Sequence, residues 1–293
     1  MRRTVIIGIF DGVHRGHQEL IRLAKKNGRV IALTFDPHPT SVVAPERTPS
    51  QLVPAADRVA LLKSYGVDEV VVKEFTREFA ALSPEEFISQ VLVAELKATG
   101  VIVGENFTFG AKASGNVETL RANTHGIDVE IAQLEENRGT TISSTRIRHL
   151  IKDGDIERAA DLLTRNHYLV GPVVHGEKRG REIGYPTANI GLDPLATVPA
   201  DGIYAGWLSV DGQRWEAAIS IGTNPTFPGV RGRQVEAYAL DQTGLDLYDK
   251  IANVEFVARL RDTLKFDGLD PLLIQMKKDC EQAHAILSNF PIN

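Results

Sequence analysis

A short strand, a glycine-rich turn and a helix open the chain and restrict its fold more than any other stretch. Residues Thr4–Ile7 form a β-branched apolar run that predicts a buried strand, and Gln18–Lys26 has the apolar spacing of an amphipathic helix. The ten residues Gly8–His17 (GIFDGVHRGH) connect them. Such a turn is often only a tight connection, but it also brings backbone N–H groups and a positive helix terminus up to a phosphate. The stretch predicts an α/β fold with a candidate phosphate site.

Two histidines, His14 and His17, are the candidate catalytic side chains of this turn. They are three residues apart, so they face the same ligand if the turn is helical. The sequence fits neither the G-x-G-x-x-G dinucleotide pattern nor the P-loop pattern. It resembles the HxGH signature of nucleotidyltransferases, and its longer form resembles that of bacterial bifunctional riboflavin kinase/FAD synthetases. This resemblance implies that both histidines are catalytic. It also assigns nucleotide or flavin binding to Gly8, Phe10, Asp11 and Gly12.

Strands continue to alternate with helices through the first half of the chain. Such alternation indicates a parallel, doubly wound sheet, which is the Rossmann-like fold that the nucleotidyltransferase resemblance also implies. Ligands of such sheets lie beyond the carboxyl ends of the strands. Strands are predicted at Val30–Phe35, Asp68–Lys73 and Val101–Val103, and helices at Ala55–Tyr65 and from Ser83 to about Leu96. Three polar turns follow strands at that edge: Gly8–His17, Asp36–Pro39 and Gly104–Gly110.

A further polar element lies at Ile142–Arg148 (ISSTRIR). Its hydroxyls are good helix caps, and its arginines suit a solvated helix face. Hydroxyls, helix N–H groups and an arginine also suit a phosphate. The family resemblance favours the phosphate interpretation, with Ser144, Thr145 and Arg148 on the triphosphate. By the same resemblance Asn106 holds nucleotide or flavin.

The second half of the chain consists mainly of short β-rich segments that are separated by Gly, Pro, Asn and Asp. This pattern predicts a compact antiparallel barrel, closed by a C-terminal helix over about Pro271–Leu287. The family resemblance implies that residues 1–155 are an adenylyltransferase domain, 156–167 a connector and 168–293 a kinase domain. The predicted strands are Tyr168–Val174, Gly202–Val210, Ala217–Ile221, Val235–Leu240 and Ile251–Leu260.

The stretch Gly171–Ile190 combines glycines with basic residues and ends in Pro-Thr-Ala-Asn. It is either a solvated connection or a phosphate-binding segment. Thr187 and Asn189 point their oxygens the same way if the segment is extended, and oxygen ligands suit Mg²⁺. The stretch resembles the flavokinase motif, which implies that Thr187 and Asn189 hold Mg–ATP. The resemblance places five more residues against phosphates: His175, Gly176, Gly180, Arg181 and Gly184.

Later segments resemble the flavokinases as well. Gly222–Phe227 is similar to their Gly-x-x-Pro-Thr-Phe, and Val235-Glu236 to their Val-Glu. A glutamate on a strand is ordinarily just solvated, but the resemblance implies that Glu236 is the catalytic base. It also implies that Arg261 borders the flavin. Tyr238 departs from the family, which commonly has His there.

The implied activity is phosphorylation of riboflavin to FMN by ATP, followed by adenylylation of FMN to FAD with release of pyrophosphate. An enzyme with one live activity and a non-catalytic flavin- or nucleotide-binding regulator are the alternatives. The net charge of −5 gives no support to a nucleic-acid-binding surface. A lone cysteine, Cys280, excludes an intramolecular disulfide. Without a signal sequence or a long apolar run, we expect a soluble cytoplasmic protein with no membrane partner. The sequence does not indicate an oligomeric state.

Overall fold

The computed structural model describes residues 2–123, 125–133, 136–137, 139–176, 180, 183–223 and 233–290. The chain divides into two compact units, Met1–Ser144 and Thr145–Asn293. Across the described ranges, no helix combines the length and apolar character that spanning a membrane requires.

The first unit is built on a parallel sheet in the strand order β3-β2-β1-β4-β5. The order reverses next to β1, because β2 and β3 lie on one side of it and β4 and β5 on the other. The strands are β1 (Arg3–Ile7), β2 (Arg29–Asp36), β3 (Glu69–Glu74), β4 (Gly100–Gly104) and β5 (Asp128–Ala132). The helices are α1 (Arg15–Lys26), α2 (Pro39–Val43), α3 (Ala55–Ser64), α4 (Arg77–Ala80), α5 (Pro84–Glu86) and α6 (Val117–Arg121), and a short hairpin pairs β6 (Glu136–Asn137) with β7 (Thr140–Thr141).

Both faces of this sheet are buried, as the near-continuous apolar strands predict. Alternate residues of β1 enter different cores, since Val5 packs on one face and Ile6 on the other. Helix α1 covers the Ile6 side through Ile21 and Ala24. The doubly wound fold expected from the sequence is confirmed.

Three local details differ from the sequence prediction. Pro39 starts helix α2 instead of ending regular structure, which agrees with the preference of proline for the first helical turn. The segment after α5 is a π-helix, Phe87–Glu95, where an α-helix was expected. Strand β5 was not predicted, because its sequence Asp-Val-Glu-Ile-Ala is half polar.

The second unit is a closed antiparallel barrel with helices at both ends of its sequence. The strand order is β10-β11-β12-β9-β8-β13, and β13 pairs with β10 to close it. The strands are β8 (His167–Val174), β9 (Ala188–Ile190), β10 (Gly202–Val210), β11 (Gln213–Gly222), β12 (Gln234–Ala239) and β13 (Ile251–Arg261). The helices are α7 (Ser144–Asp153), which starts at the last residue of the first unit, α8 (Ile156–Leu163) and α9 (Leu269–Leu287).

Helix α9 packs on the barrel through a small apolar cluster. Ala283 and Leu287 of the helix are fully buried against Trp207 and Val257 of the strands. An ion pair strengthens this contact, because the Arg261 guanidinium donates two hydrogen bonds to the Asp279 carboxylate, at 2.9 and 2.6 Å. The barrel with a terminal helix is confirmed as predicted.

Candidate active sites

A cavity of about 790 Å³ opens at the carboxyl edge of the parallel sheet. Its lining includes the last residues of β1, β4 and β5, which are Ile7, Gly104 and Ala132, together with Gly8 and Gln133. These strands flank the position where the strand order reverses, which is where open α/β sheets bind ligands. The cavity has a polar end around the Gly8–His17 turn and an aromatic end.

The polar end is formed by the two histidines. His14 caps the start of α1 and His17 lies in its first turn, so the helix starts three residues earlier than predicted. Their rings stack with centroids 3.6 Å apart, and the Phe10 ring meets His17 edge-on at 5.2 Å. Gly16 lies beside the His14 ring, since a Cβ there would be in van der Waals contact with it at 3.4 Å. The helical turn brings both imidazoles to one place.

The surroundings of His17 favour a neutral ring. Burial and the neighbouring His14 hold the pKa of His17 well below its usual value of 6.5. The Nδ1 atom of His17 is buried and has no hydrogen-bond partner among the described residues. A ligand in the cavity therefore meets a neutral imidazole beside the N-terminus of α1.

The other end of the cavity is a continuous array of phenylalanine rings. Neighbouring ring centroids lie 5.3–6.2 Å apart, mostly in tilted or edge-to-face contacts. Such a surface suits a flat aromatic ligand. The array consists of Phe35, Phe75, Phe79, Phe87, Phe107 and Phe109. Asn106 and Thr108 add polar groups to this wall.

The residues between Gly8 and His14 build the turn itself. The buried Asp11 carboxylate accepts hydrogen bonds from the backbone N–H groups of Leu52, at 2.9 Å, and Val53, at 3.4 Å. Phe10 and Gly12 have left-handed backbone conformations, with φ of 53° and 79°. In this structure these three residues shape the loop that carries the histidines, and the ligand contacts that the sequence motif predicts for them stay predictions.

The Ser-Ser-Thr segment divides between the two units. Ser143 and Ser144 line the cavity, and the Ser144 hydroxyl donates to the backbone carbonyl of Asp11 at 2.9 Å. Thr145 is exposed and Arg148 is buried, and both lie in α7 within the second unit. The roles predicted for Ser144, Thr145 and Arg148 all stay predictions.

In the barrel, three predicted residues come together between β9 and β12. Asn189 is the register partner of Glu236. The Thr187 hydroxyl donates to the Glu236 carboxylate at 2.9 Å. Gly176 lies against this group, because a Cβ there would come within 2.4 Å of the Asn189 amide nitrogen. Strand β9 was not predicted, because only three residues form it, yet it holds Asn189 in an extended backbone.

This group of residues fits a hard cation. The Oδ1 atom of Asn189 is buried without a hydrogen-bond partner among the described residues, which is a costly arrangement unless a ligand completes it. The Thr187 oxygen keeps its lone pairs while its proton is donated to Glu236. Amide and hydroxyl oxygens are ligands that Mg²⁺ accepts, usually with waters and phosphates.

A second cavity, of about 660 Å³, lies beside Thr187. Its lining includes Ala237 and Ala239 of β12 and the segment from Gln242 to Tyr248, which sequence reasoning missed. The Tyr248 ring packs against His175 with centroids 4.2 Å apart. The polar Asp-Gln-Thr-Gly sequence after the predicted strand could have indicated a turn at this side of the cavity.

The structure describes most of the other residues that were predicted to bind ligands in the barrel. The Arg261 guanidinium is bound by Asp279, which gives it a structural role at α9. The Gly180 carbonyl accepts from the Tyr185 N–H at 2.7 Å, and Gly184 has a φ of +87°. Arg181 and the Asn-Pro-Thr-Phe part of Gly222–Phe227 lie outside the described residues.

Comparison with known families accounts for both units. The FAD synthetase family model matches residues 1–146, and the riboflavin kinase model matches residues 163–287. The chain belongs to the bifunctional riboflavin kinase/FMN adenylyltransferase family. Curated members from Listeria monocytogenes and Escherichia coli are each 35% identical, over 99% and 94% of this chain and 94% and 90% of their own length. The member from Bacillus subtilis is 33% identical over 99% of this chain and 94% of its own.

A solved structure shares the whole architecture. It is described as a macrolide-efflux protein from Streptococcus pneumoniae and is 35% identical, with a TM-score of 0.86 over 97% of this chain and 94% of its own. That description names a transport activity, whereas both family models and the curated relatives name flavin enzymes. The flavin-enzyme assignment also accounts for the two cavities described above.

Proposed function

We propose that the chain converts riboflavin to FMN in the barrel and FMN to FAD in the N-terminal unit, with ATP as co-substrate of both reactions. The observation that carries the two-site assignment is the contrast between the sites. One has stacked histidines and an aromatic wall, and the other has a carboxylate beside metal-compatible oxygens. We expect the enzyme to work in the cytoplasm and to need no nucleic-acid partner.

In the N-terminal cavity, the FMN phosphate attacks the α-phosphorus of ATP, and the bond to pyrophosphate breaks. The phosphate is already ionised, so no protein base is needed. His14, His17 and the N-terminus of α1 donate to the phosphoryl oxygens as charge develops on them. Ser144 and Arg148 add a hydroxyl and a cation for the leaving pyrophosphate. The phenylalanine array and Asn106 hold the isoalloxazine ring.

In the barrel, the riboflavin 5′-hydroxyl attacks the γ-phosphorus of ATP, and ADP leaves. Glu236 accepts the hydroxyl proton, and the hydrogen bond from Thr187 fixes its carboxylate in place. The cavity beside Thr187 takes the nucleotide, because it approaches this pair from the other face of β12. Phosphoryl transfer depends mainly on such positioning.

Thr187 and Asn189 are the residues that would hold Mg²⁺ here. When bound, the ion neutralises phosphate charge and orients the triphosphate. The chain's own contribution is to present the Asn189 Oδ1 and Thr187 Oγ1 atoms from residues two positions apart, at and just before the start of β9. Gly176 leaves space for the Asn189 amide.

Incubation of the full chain with riboflavin, ATP and Mg²⁺ tests the proposal, with the flavins separated by chromatography. We expect FMN to accumulate first and FAD afterwards, with ADP and pyrophosphate as the other products. FMN without FAD, or FAD only from added FMN, would leave one live activity and overturn the two-reaction assignment. Absence of both products would favour a binding regulator.

A further inference from the structure

Strand β12 has two chemically different faces. Val235, Ala237 and Ala239 are buried on one face, whereas Glu236 and Tyr238 are partly exposed on the other. Two residues along a strand correspond to about 7 Å, so the Tyr238 ring starts about 7 Å from the proposed base on the same face. The position is therefore adjacent to the reacting hydroxyl of any acceptor bound at Glu236.

A second aromatic ring extends this surface. Tyr185 meets Tyr238 in a T-shaped contact, with centroids 5.2 Å apart and an interplanar angle of 62°. Tyr185 precedes Thr187 by two residues, and Thr187 is hydrogen-bonded to Glu236. Each tyrosine therefore lies two positions along the chain from one of the two residues, Thr187 and Glu236, that form the proposed catalytic contact. Both rings keep part of their surface exposed.

The nucleotide cavity lies on the opposite side of the same strand. Ala237 and Ala239, from the buried face of β12, line it together with Thr187. A phosphoryl acceptor must approach from the side of the strand that the nucleotide does not occupy. That side is the face that carries Glu236 and Tyr238. A long acceptor with an aromatic end therefore extends along this face.

We propose that Tyr238, supported by Tyr185, binds the isoalloxazine ring of riboflavin and so determines the affinity of the kinase site for its acceptor. This proposal rests on the proposed riboflavin kinase activity. The ribityl chain reaches from Glu236 to the ring system, and the tyrosine rings supply an aromatic surface at that distance. Aromatic stacking of this kind changes affinity by roughly two- to tenfold.

The test compares Tyr238→Ala with Tyr238→Phe in the full-length protein. We expect Tyr238→Ala to raise the KM for riboflavin about tenfold, while the KM for ATP changes less than twofold. Tyr238→Phe keeps the ring and should stay within twofold of the wild type for both substrates. Lumichrome, which has the ring system without the ribityl chain, should inhibit the wild type and Tyr238→Phe but lose about tenfold in potency against Tyr238→Ala.

Two further variants separate the proposal from a structural effect. Tyr238 also packs against the apolar cluster under α9, so Tyr238→Ala alone does not exclude a packing effect. Tyr185→Ala removes the second ring, which is not among the residues of that cluster, and it should also raise the riboflavin KM. Tyr248→Ala, on the nucleotide side, should raise the ATP KM instead. An unchanged riboflavin KM in Tyr238→Ala and Tyr185→Ala, or an equal loss in Tyr238→Phe, would overturn the proposal. Failure of the wild type to make any FMN would instead overturn the proposed function.

Discussion

The N-terminal cavity and the barrel site differ in the charge of the polar groups that they present. None of the described residues that line the N-terminal cavity is an aspartate or a glutamate, and its polar end consists of imidazoles, hydroxyls and a helix terminus. The barrel site is instead built around the Glu236 carboxylate, which Thr187 holds by a hydrogen bond. Both sites are assigned to reactions at a phosphorus atom of ATP.

The difference follows from the nucleophile. A phosphate monoester carries its negative charge into the reaction, so a carboxylate beside it would only repel it. A ribityl hydroxyl is neutral and must lose a proton, so a positioned carboxylate helps it. Where a chain catalyses both reactions, the presence or absence of a base indicates which nucleophile each site takes.

The largest expected effect is the loss of the base. Glu236→Gln keeps an oxygen for the Thr187 hydroxyl but cannot take a proton at neutral pH. We expect FMN formation from riboflavin to fall by about 10²–10⁴-fold, while FAD formation from added FMN stays at the wild-type rate. The rates of FMN formation and of FAD formation, both measured by flavin chromatography, test this prediction. Glu255→Gln, in β13 and paired with Arg214, is the matched control and should retain both rates. Equal loss of both rates in folded Glu236→Gln would refute the separation of the sites.

The complementary change is His17→Asn. It removes one donor to the developing charge and should lower FAD formation by about 10²–10³-fold, with FMN formation intact. His125→Asn serves as the control, because His125 lies on the surface of the same unit and pairs with Glu85. A comparable fall in His125→Asn, or unimpaired FAD synthesis in His17→Asn, would contradict the assigned role.

A smaller effect is expected at Gly176. A methyl group there would displace the Asn189 amide, so Gly176→Ala should lower FMN formation by roughly tenfold and leave FAD formation unchanged. Gly268→Ala is the control, because a Cβ at Gly268 meets no atom closer than 4.0 Å. The apparent affinity for Mg²⁺ should weaken in Gly176→Ala only. An unaltered Mg²⁺ dependence would argue against metal binding at Asn189.

The smallest predicted change concerns stability. Burial lowers the pKa of His167, at the start of the barrel, from 6.5 to about 4. Because the unfolded chain binds this proton more readily, the stability that the neutral ring contributes is intact above pH 6.5 and is lost as the pH falls towards 4. The loss between pH 7.5 and 5 should be about 2 kcal/mol.

Both tryptophans, Trp207 and Trp215, lie in the barrel, so their fluorescence in urea titrations reports on that unit alone. His167→Gln should retain a side-chain donor for the Thr197 carbonyl and reduce the acid sensitivity of unfolding. Identical pH dependence in the wild type and the variant would rule out His167 as the source.

The sequence predicted those features that depend on local pattern. Four apolar runs gave β1 to β4, and the spacing of His14 and His17 predicted that they would meet if the turn was helical. Contacts between segments that are distant in the sequence were harder to predict. The backbone N–H of Leu52 donates to the Asp11 carboxylate, and the Arg261 guanidinium donates to Asp279. No local pattern of the sequence predicted these two contacts. Pairing across strands, as between Asn189 and Glu236, also needs the register that only the folded barrel supplies.

The alternation along β12 restricts how this family can change. Glu236 and Tyr238 lie on one face, and the alanines that line the cavity beside Thr187 lie on the other. Deleting or inserting a single residue in the strand would exchange the two faces beyond that point. A carboxylate would then point at the core and an alanine at the substrate. During evolution the strand can therefore accept substitutions, but it can accept length changes only in its flanking loops.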